Sequence, residues 1–120
     1  MIRMMYVLTH DPKERLELVS SVFAQAITAL SFEYETEMFL MDRAVHAAVR
    51  GYVDGLKAGS FASLSELIEM FTEMEGRLYV CAPFAHSYDI KKEHCIPGVT
   101  EFVDAGMLVV HAKDATVFTY

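Results

Sequence analysis

The chain has no tryptophan, and its 120 residues include only two cysteines, three prolines and six glycines. Positive charge is also scarce: ten Lys and Arg stand against seventeen Asp and Glu, for a formal charge of −7 and a pI near 5.1. That deficit argues against nucleic acid, which calls for a clustered basic face. No apolar run approaches the roughly 20 residues that a membrane helix needs. Thr9-His10-Asp11-Pro12 interrupts the short opening run before it can form a signal-peptide pattern. Neither GxGxxG nor GxxxxGK(S/T) occurs, which disfavours a nucleotide enzyme and leaves no cofactor implied. The two cysteines, Cys81 and Cys95, have neither the CxxC spacing of a dithiol redox motif nor the doubled CxxC of a zinc ribbon. They fit free thiols in a reducing compartment, so the expected location is the cytoplasm. No internal repeat or low-complexity segment breaks the chain.

What is present is apolar residues, 53% of the total, enough for a single domain over residues 1–120. Ile2–Leu8 is a nearly continuous apolar run, the pattern of a strand buried on both faces of a parallel sheet. Asp11-Pro12-Lys13-Glu14 then reads as a helix start with Asp11 as N-cap, Pro12 in the first turn and Glu14 completing a capping box. Leu16, Val19, Phe23, Ile27 and Leu30 follow at helical spacing. Glu37–Met41 predicts a second strand and Arg43–Leu56 a helix that contains Gly51 and Gly55. Ser63-Leu64-Ser65-Glu66 is another capping box, opening a helix to Glu75, and Arg77–Cys81 predicts the third strand. Short helices are expected over Ser87–Glu93 and Thr100–Asp104, with strands over Met107–Val110 and Thr116–Thr119. This alternation predicts an α/β fold, a mostly parallel five-stranded sheet with helices on both faces.

In such sheets ligands sit at the carboxyl ends of the strands. His10 follows the first strand, Asp42 and His46 follow the second, and Cys81 ends the third just before Ala82-Pro83, so all are expected on one rim. A thiol at that junction faces the start of the next helix, where backbone amides and a nearby protonated histidine favour the thiolate and acidic neighbours oppose it. The plainer reading is that Cys81 is a small buried apolar side chain, and Cys95, before Ile96-Pro97, reads that way more strongly. His86 and His94 flank a charged stretch that reads as a solvated face. A zinc site from Cys81, His86, His94 and Cys95 has the right ligand types without a familiar spacing, so no metal is expected. A Cys-His-acid triad with His46 or His10 lacks a local nucleophile signature, and a thiol peroxidase would need Cys95 close to Cys81 as its resolving thiol.

The order of these segments, with Met38-Phe39-Leu40-Met41-Asp42, Leu78-Tyr79-Val80-Cys81, Ile96-Pro97-Gly98-Val99 and a closing Val117-Phe118-Thr119, resembles the DsrE/DsrF-like family, which includes TusD-like and YchN-like sulfur-relay proteins. The resemblance spans nearly the whole chain. It implies a three-layer α/β/α domain assembling as a trimer or hexamer, or as a heteromer with sister subunits. It also implies a sulfurtransferase or sulfur-carrier role in which a cysteine passes sulfur as a persulfide between donor and acceptor proteins. Cys81 matches that cysteine. Cys95 falls where such proteins commonly have an aliphatic residue, and Asp42-Arg43-Ala44-Val45 lacks the glycine often found after the second strand. His46, His86 and His10 are the possible assisting residues, and Pro83 the one expected to hold the loop open. The competing expectation is a noncatalytic oligomeric or small-ligand-binding module with an inert Cys81. Eight methionines and fourteen Phe or Tyr residues supply apolar surface for subunit packing.

Overall fold

Strand β1 runs over Arg3–Leu8, and its alternate side chains bury on opposite faces: Tyr6 and Leu8 join one apolar cluster, Met5 and Val7 another. That double burial is why the run carries no polar alternation. The computed structural model describes residues 1–120. The other strands are β2 (Glu35–Leu40), β3 (Arg77–Cys81), β4 (Val99–Val103) and β5 (Thr116–Thr119). They form one five-stranded sheet in the order β4-β3-β2-β1-β5, every pairing parallel.

Parallel neighbours cannot be joined by a tight turn, so each connection crosses over a face of the sheet. Helix α1 (Leu16–Ser31) links β1 to β2 and buries Val19, Val22, Phe23, Ala26 and Ala29, a stripe at helical spacing. A 3₁₀ helix (Asp42–Ala48) and helix α2 (Leu64–Glu73) link β2 to β3. Helix α3 (Ala82–Ser87) and a second 3₁₀ turn (Lys92–His94) lead to β4. Helix α4 (Ala105–Ala112) carries the chain to β5, from one sheet edge to the other.

One face of the sheet packs with α1, α2 and the Asp42–Ala48 segment in a cluster of 22 buried residues, in which the Phe23 and Phe71 rings meet edge to face at 5.8 Å. The other face has a cluster of five, Met5, Val7, Phe39, Tyr79 and Val103, against which Met107, Leu108 and Ala112 of α4 pack.

Several segments differ from the sequence-based expectation. The helix expected over Arg43–Leu56 is a 3₁₀ helix that ends at Ala48. Gly51 (φ +84°) and Gly55 (φ +78°) adopt left-handed backbone that a right-handed helix cannot include, and they turn the chain instead. Asp11 does not cap α1, which starts at Leu16; its carboxylate accepts the Lys13 amide at 2.8 Å in a separate turn, and Glu14 pairs with Arg43. Ser63 does cap α2, its hydroxyl accepting the Glu66 amide at 3.3 Å. The helix placed over Ser87–Glu93 occurs earlier, over Ala82–Ser87, and Asp89 at φ +55° prevents its continuation.

The last two assignments are exchanged. Thr100–Asp104 lies mostly in strand β4, whereas Met107–Val110 lies inside α4. Asp104 caps that helix by accepting the Met107 amide at 3.1 Å. Short apolar runs do not distinguish strand from helix; here the parallel pairing of β5 with β1 requires a crossover element after β4.

Candidate functional site at the carboxyl edge

Strands β1, β2 and β3 are adjacent, and Leu8, Leu40 and Val80 lie in one register row across them. Just beyond that row come His10, Asp42 and Cys81, so the sequence-predicted residues do share an edge. Strand spacing of about 4.8 Å puts the ends of β1 and β3 roughly 10 Å apart, with the end of β2 between them. The Asp42–Ala48 segment therefore lies closer to Cys81 than the His10 loop does.

Cys81 is the last residue of β3 and the N-cap of α3, with Pro83 in the first turn of that helix. It is 7% exposed and its thiol is free. Pro83 is thus part of the helix start, where a missing N–H costs nothing and the fixed φ suits the helix.

Tyr88 caps the other end of α3 and donates its hydroxyl to Asp42 at 3.0 Å. Asp42 holds a left-handed backbone (φ +51°), the conformation glycine adopts most readily, at the turn out of β2. The His46 ring lies between two tyrosines, its centroid 4.9 Å from Tyr88 and 5.1 Å from Tyr52. His46 Nδ1 is 2.9 Å from the Arg43 carbonyl oxygen. A carbonyl can only accept, so Nδ1 donates its proton and the neutral ring keeps its lone pair on Nε2.

On the far side of His46, the Tyr52 hydroxyl lies 3.0 and 2.8 Å from the two carboxylate oxygens of buried Asp11. Burial first, then this hydrogen bond and the negative charge of Asp11, push the Tyr52 phenol up to about 12. The Lys13 ammonium sits 4.1 Å above the Tyr52 ring. His10 is half-buried, and its Nδ1 is enclosed without a protein hydrogen-bond partner.

The remaining sequence-predicted residues separate from this group. His86 is exposed on α3. His94 accepts the Lys91 amide at 3.1 Å and stabilises the second 3₁₀ turn. Cys95 is 4% exposed, pairs through its backbone with Val49, and points its thiol at the Lys91 carbonyl at 3.6 Å. Burial pushes that thiol's pKa up, with Arg50 nearby opposing the rise. The Cys81, His86, His94 and Cys95 set is not gathered, nor do any three His, Cys, Asp or Glu side chains converge in metal-binding geometry.

The model of the DsrE/DsrF-like family matches residues 3–119. The chain belongs to that family. Among solved structures, the YchN protein from E. coli aligns over 100% of both chains with 24% identity and a TM-score of 0.82. The MTH1491 protein of unknown function from Methanobacterium thermoautotrophicum aligns over 100% of both chains with 15% identity and a TM-score of 0.71. At those identities the likeness shows a shared fold. A search of curated proteins gave no match. The DsrE-like architecture agrees with the all-parallel α/β sheet of this chain, and no helix in it is long and apolar enough to cross a membrane.

Sequence reasoning missed the Tyr52–Asp11 pair and the Tyr88–Asp42 bond that brace His46 in this DsrE-like chain. Tyr52 was hidden inside the helix expected over Arg43–Leu56; the glycines flanking it, Gly51 and Gly55, were the sign of a turn. It also missed His111, whose ring bonds Glu37 on the opposite face of the sheet.

Proposed function

We propose that this DsrE-like protein is a small sulfur-relay protein in which Cys81 carries sulfur as a persulfide between a donor and an acceptor protein. The observation that supports this reading is the position of Cys81, which closes β3 and opens α3 at the carboxyl edge of a sheet belonging to a sulfur-relay family. That junction makes Cys81 the N-cap residue of α3, with Pro83 in the helix's first turn.

In the loading step the Cys81 thiolate attacks the outer sulfur of a donor persulfide. A bond forms between Sγ and that sulfur, the donor's S–S bond breaks, and the bonding pair leaves on the donor thiolate. Discharge repeats the exchange with the acceptor thiolate, which attacks the outer sulfur and releases the Cys81 thiolate. No net oxidation occurs in either step. The low exposure of Cys81, which packs in the 22-residue cluster, suits a carrier whose sulfur is sheltered from side reactions.

We assign the assisting role to His46, because its Nε2 lone pair is free and its ring is braced against Tyr88 on the α3 side of the edge. His86 and His10 have weaker claims, one exposed on α3 and the other across the width of β2. Pro83 stiffens the start of α3 beneath the sulfur. The proposed setting is a cytoplasmic single-domain protein acting as a homo-oligomer, a trimer or hexamer, or with sister subunits.

The second reading, a noncatalytic oligomeric or small-ligand-binding module, is favoured by the same 7% exposure of Cys81. Site-resolved alkylation of the folded protein separates the two. The carrier reading expects Cys81 to react at least ten-fold faster than Cys95, and His46→Gln to slow that reaction. Equal and slow labelling of both cysteines would favour the module, and an unchanged Cys81 rate in His46→Gln would remove His46 from the mechanism.

A further inference from the structure

The two edges of the sheet are unlike. Edge strand β4 carries the exposed Glu101 and a break in its register against β3 between Leu78 and Tyr79. A charge and a bulge are two of the devices that keep an open edge from pairing with another chain. Edge strand β5, Thr116-Val117-Phe118-Thr119, has neither. It holds no charged residue and no proline, pairs with β1 in unbroken register, and leaves all 4 of its residues exposed.

The ladder fixes which backbone groups of β5 are free. Tyr120, the next residue, donates its amide to the Val7 carbonyl of β1 and accepts the Thr9 amide just beyond that strand. Backbone groups alternate in direction along a strand, so Phe118 also turns its N–H and C=O toward β1, while Val117 and Thr119 turn theirs outward. The side chains alternate as well. Phe118 stacks on Tyr6 at 5.2 Å on the thickly covered face, and Val117 and Thr119 project from the other. Beside Tyr6 lies a shallow hollow of about 300 Å³ whose wall includes the largely exposed Phe32.

This edge is complementary to itself. About a two-fold axis through Phe118, an antiparallel second copy sets Val117 against the partner's Thr119 and Thr119 against the partner's Val117, each pair exchanging both of its N–H···O bonds. Phe118 falls opposite the partner's Phe118, which extends the Tyr6–Phe118 stack across the axis into one row of rings. In a chain of net charge −7, this uncharged segment meets its own copy without setting like charges opposite each other. A two-fold through the middle of β4 would instead oppose Glu101 to itself.

We propose that β5 is a docking strand for a second copy of the chain, joined edge to edge in an antiparallel register centred on Phe118. An edge this short gives a contact at the low end of the roughly 1,200–2,000 Å² of stable interfaces, so the association is weak and concentration-dependent. It deepens the homo-oligomer reading by naming a surface, and it stands apart from the sulfur chemistry of Cys81. A two-fold contact forms dimers or joins two trimers into a hexamer; it cannot form a trimer.

The test combines sedimentation of the full-length protein, from about 10 µM to 1 mM, with oxidative cross-linking of Phe118→Cys and Val117→Cys, wild type serving as the control for Cys81 and Cys95. Wild type should reach an even number of chains. Val117→Lys with Thr119→Lys sets lysines opposite each other across the axis and should halve that mass, and mixing it with Val117→Glu, Thr119→Glu should restore it. Phe118→Cys should link into dimers about ten-fold faster than Val117→Cys. Directly opposed Cα atoms lie about 4.5 Å apart, within disulfide reach, whereas the diagonal ones lie about 7–8 Å apart. The cysteine variants read the register without relying on the folding of the lysine variant. Unchanged mass in the lysine variant, equal linking of the two cysteine variants, or a wild-type trimer would each overturn the proposal and leave the homo-oligomer reading standing. A wild-type monomer at every concentration would overturn both, leaving β5 to a strand of another protein.

Discussion

The two faces of the sheet are built to different depths. On one, α1, α2 and the Asp42–Ala48 segment enclose 22 buried residues; on the other, α4 covers a cluster of five and buries none of its own residues completely. Dimensions explain the contrast. Five strands span about 19 Å from the first axis to the last, whereas a single helix such as α4 is about 10–12 Å across with its side chains. Val109 and Val110 of α4 stay 70% and 68% exposed, and Val117 of edge strand β5 is also exposed. At the centre of this thin face is a polar group: Glu37, 3% exposed, takes Arg3 at 2.9 Å on one oxygen and His111 on the other. The thick face holds the fold mainly by apolar packing. The thin face relies on one ion-paired carboxylate and leaves apolar surface for a neighbour.

That contrast can be broken by substitution. Phe71→Ala on the thick face removes a fully buried ring that meets Phe23, and should cost about 3–5 kcal/mol in urea unfolding, a large share of the ~5–15 typical of a folded chain. Glu37→Ala on the thin face removes the partner of the His111 ring and one of the two carboxylates that Arg3 meets, and should cost about 2 kcal/mol by the same measurement. If Glu37→Ala cost as much as Phe71→Ala, the two faces would be equal contributors.

Tyr52→Phe, where the thick face meets the carboxyl edge, leaves Asp11 with only the Lys13 amide and should cost about 1–2 kcal/mol at neutral pH. The sign of its pH dependence comes from its raised pKa. Below the ordinary phenol value of 10.0, Tyr52 is protonated in both states and the stability is flat. Between there and about 12 the unfolded phenol ionises first, so wild-type stability falls as pH rises. Tyr6 and Tyr79, both pushed up by burial, add to that fall. Chemical denaturation across this range should show a shallower fall in Tyr52→Phe. The smallest effect belongs to Val109→Ser with Val110→Ser, each expected to change stability by less than about 0.5 kcal/mol. A drop in the assembled fraction by light scattering, at unchanged monomer stability, would identify the thin face as a subunit contact.

The central strands were legible because burial on both faces removes alternation, as in Leu78-Tyr79-Val80-Cys81, and because Ser63 announces α2 by its capping chemistry. The carboxyl edge was legible for the same reason, since parallel strands bring their ends together wherever the intervening helices are placed correctly. The features that stayed hidden depended on distant partners. Met107-Leu108-Val109-Val110 has the local character of a strand, and only the need to cross from β4 to β5 makes it a helix. Tyr52 meets Asp11 across 41 positions, and His111 meets Glu37 across 74, so no local pattern foretells either contact.

Intact mass after incubation of the reduced protein with a persulfide donor tests the central claim most directly, comparing wild type with Cys81→Ser and Cys95→Ser. The account predicts that wild type and Cys95→Ser each gain one sulfur atom that reductant removes, and that Cys81→Ser gains none. Loading that survives in Cys81→Ser, or no loading in any of the three while Cys81 also resists alkylation, would contradict it.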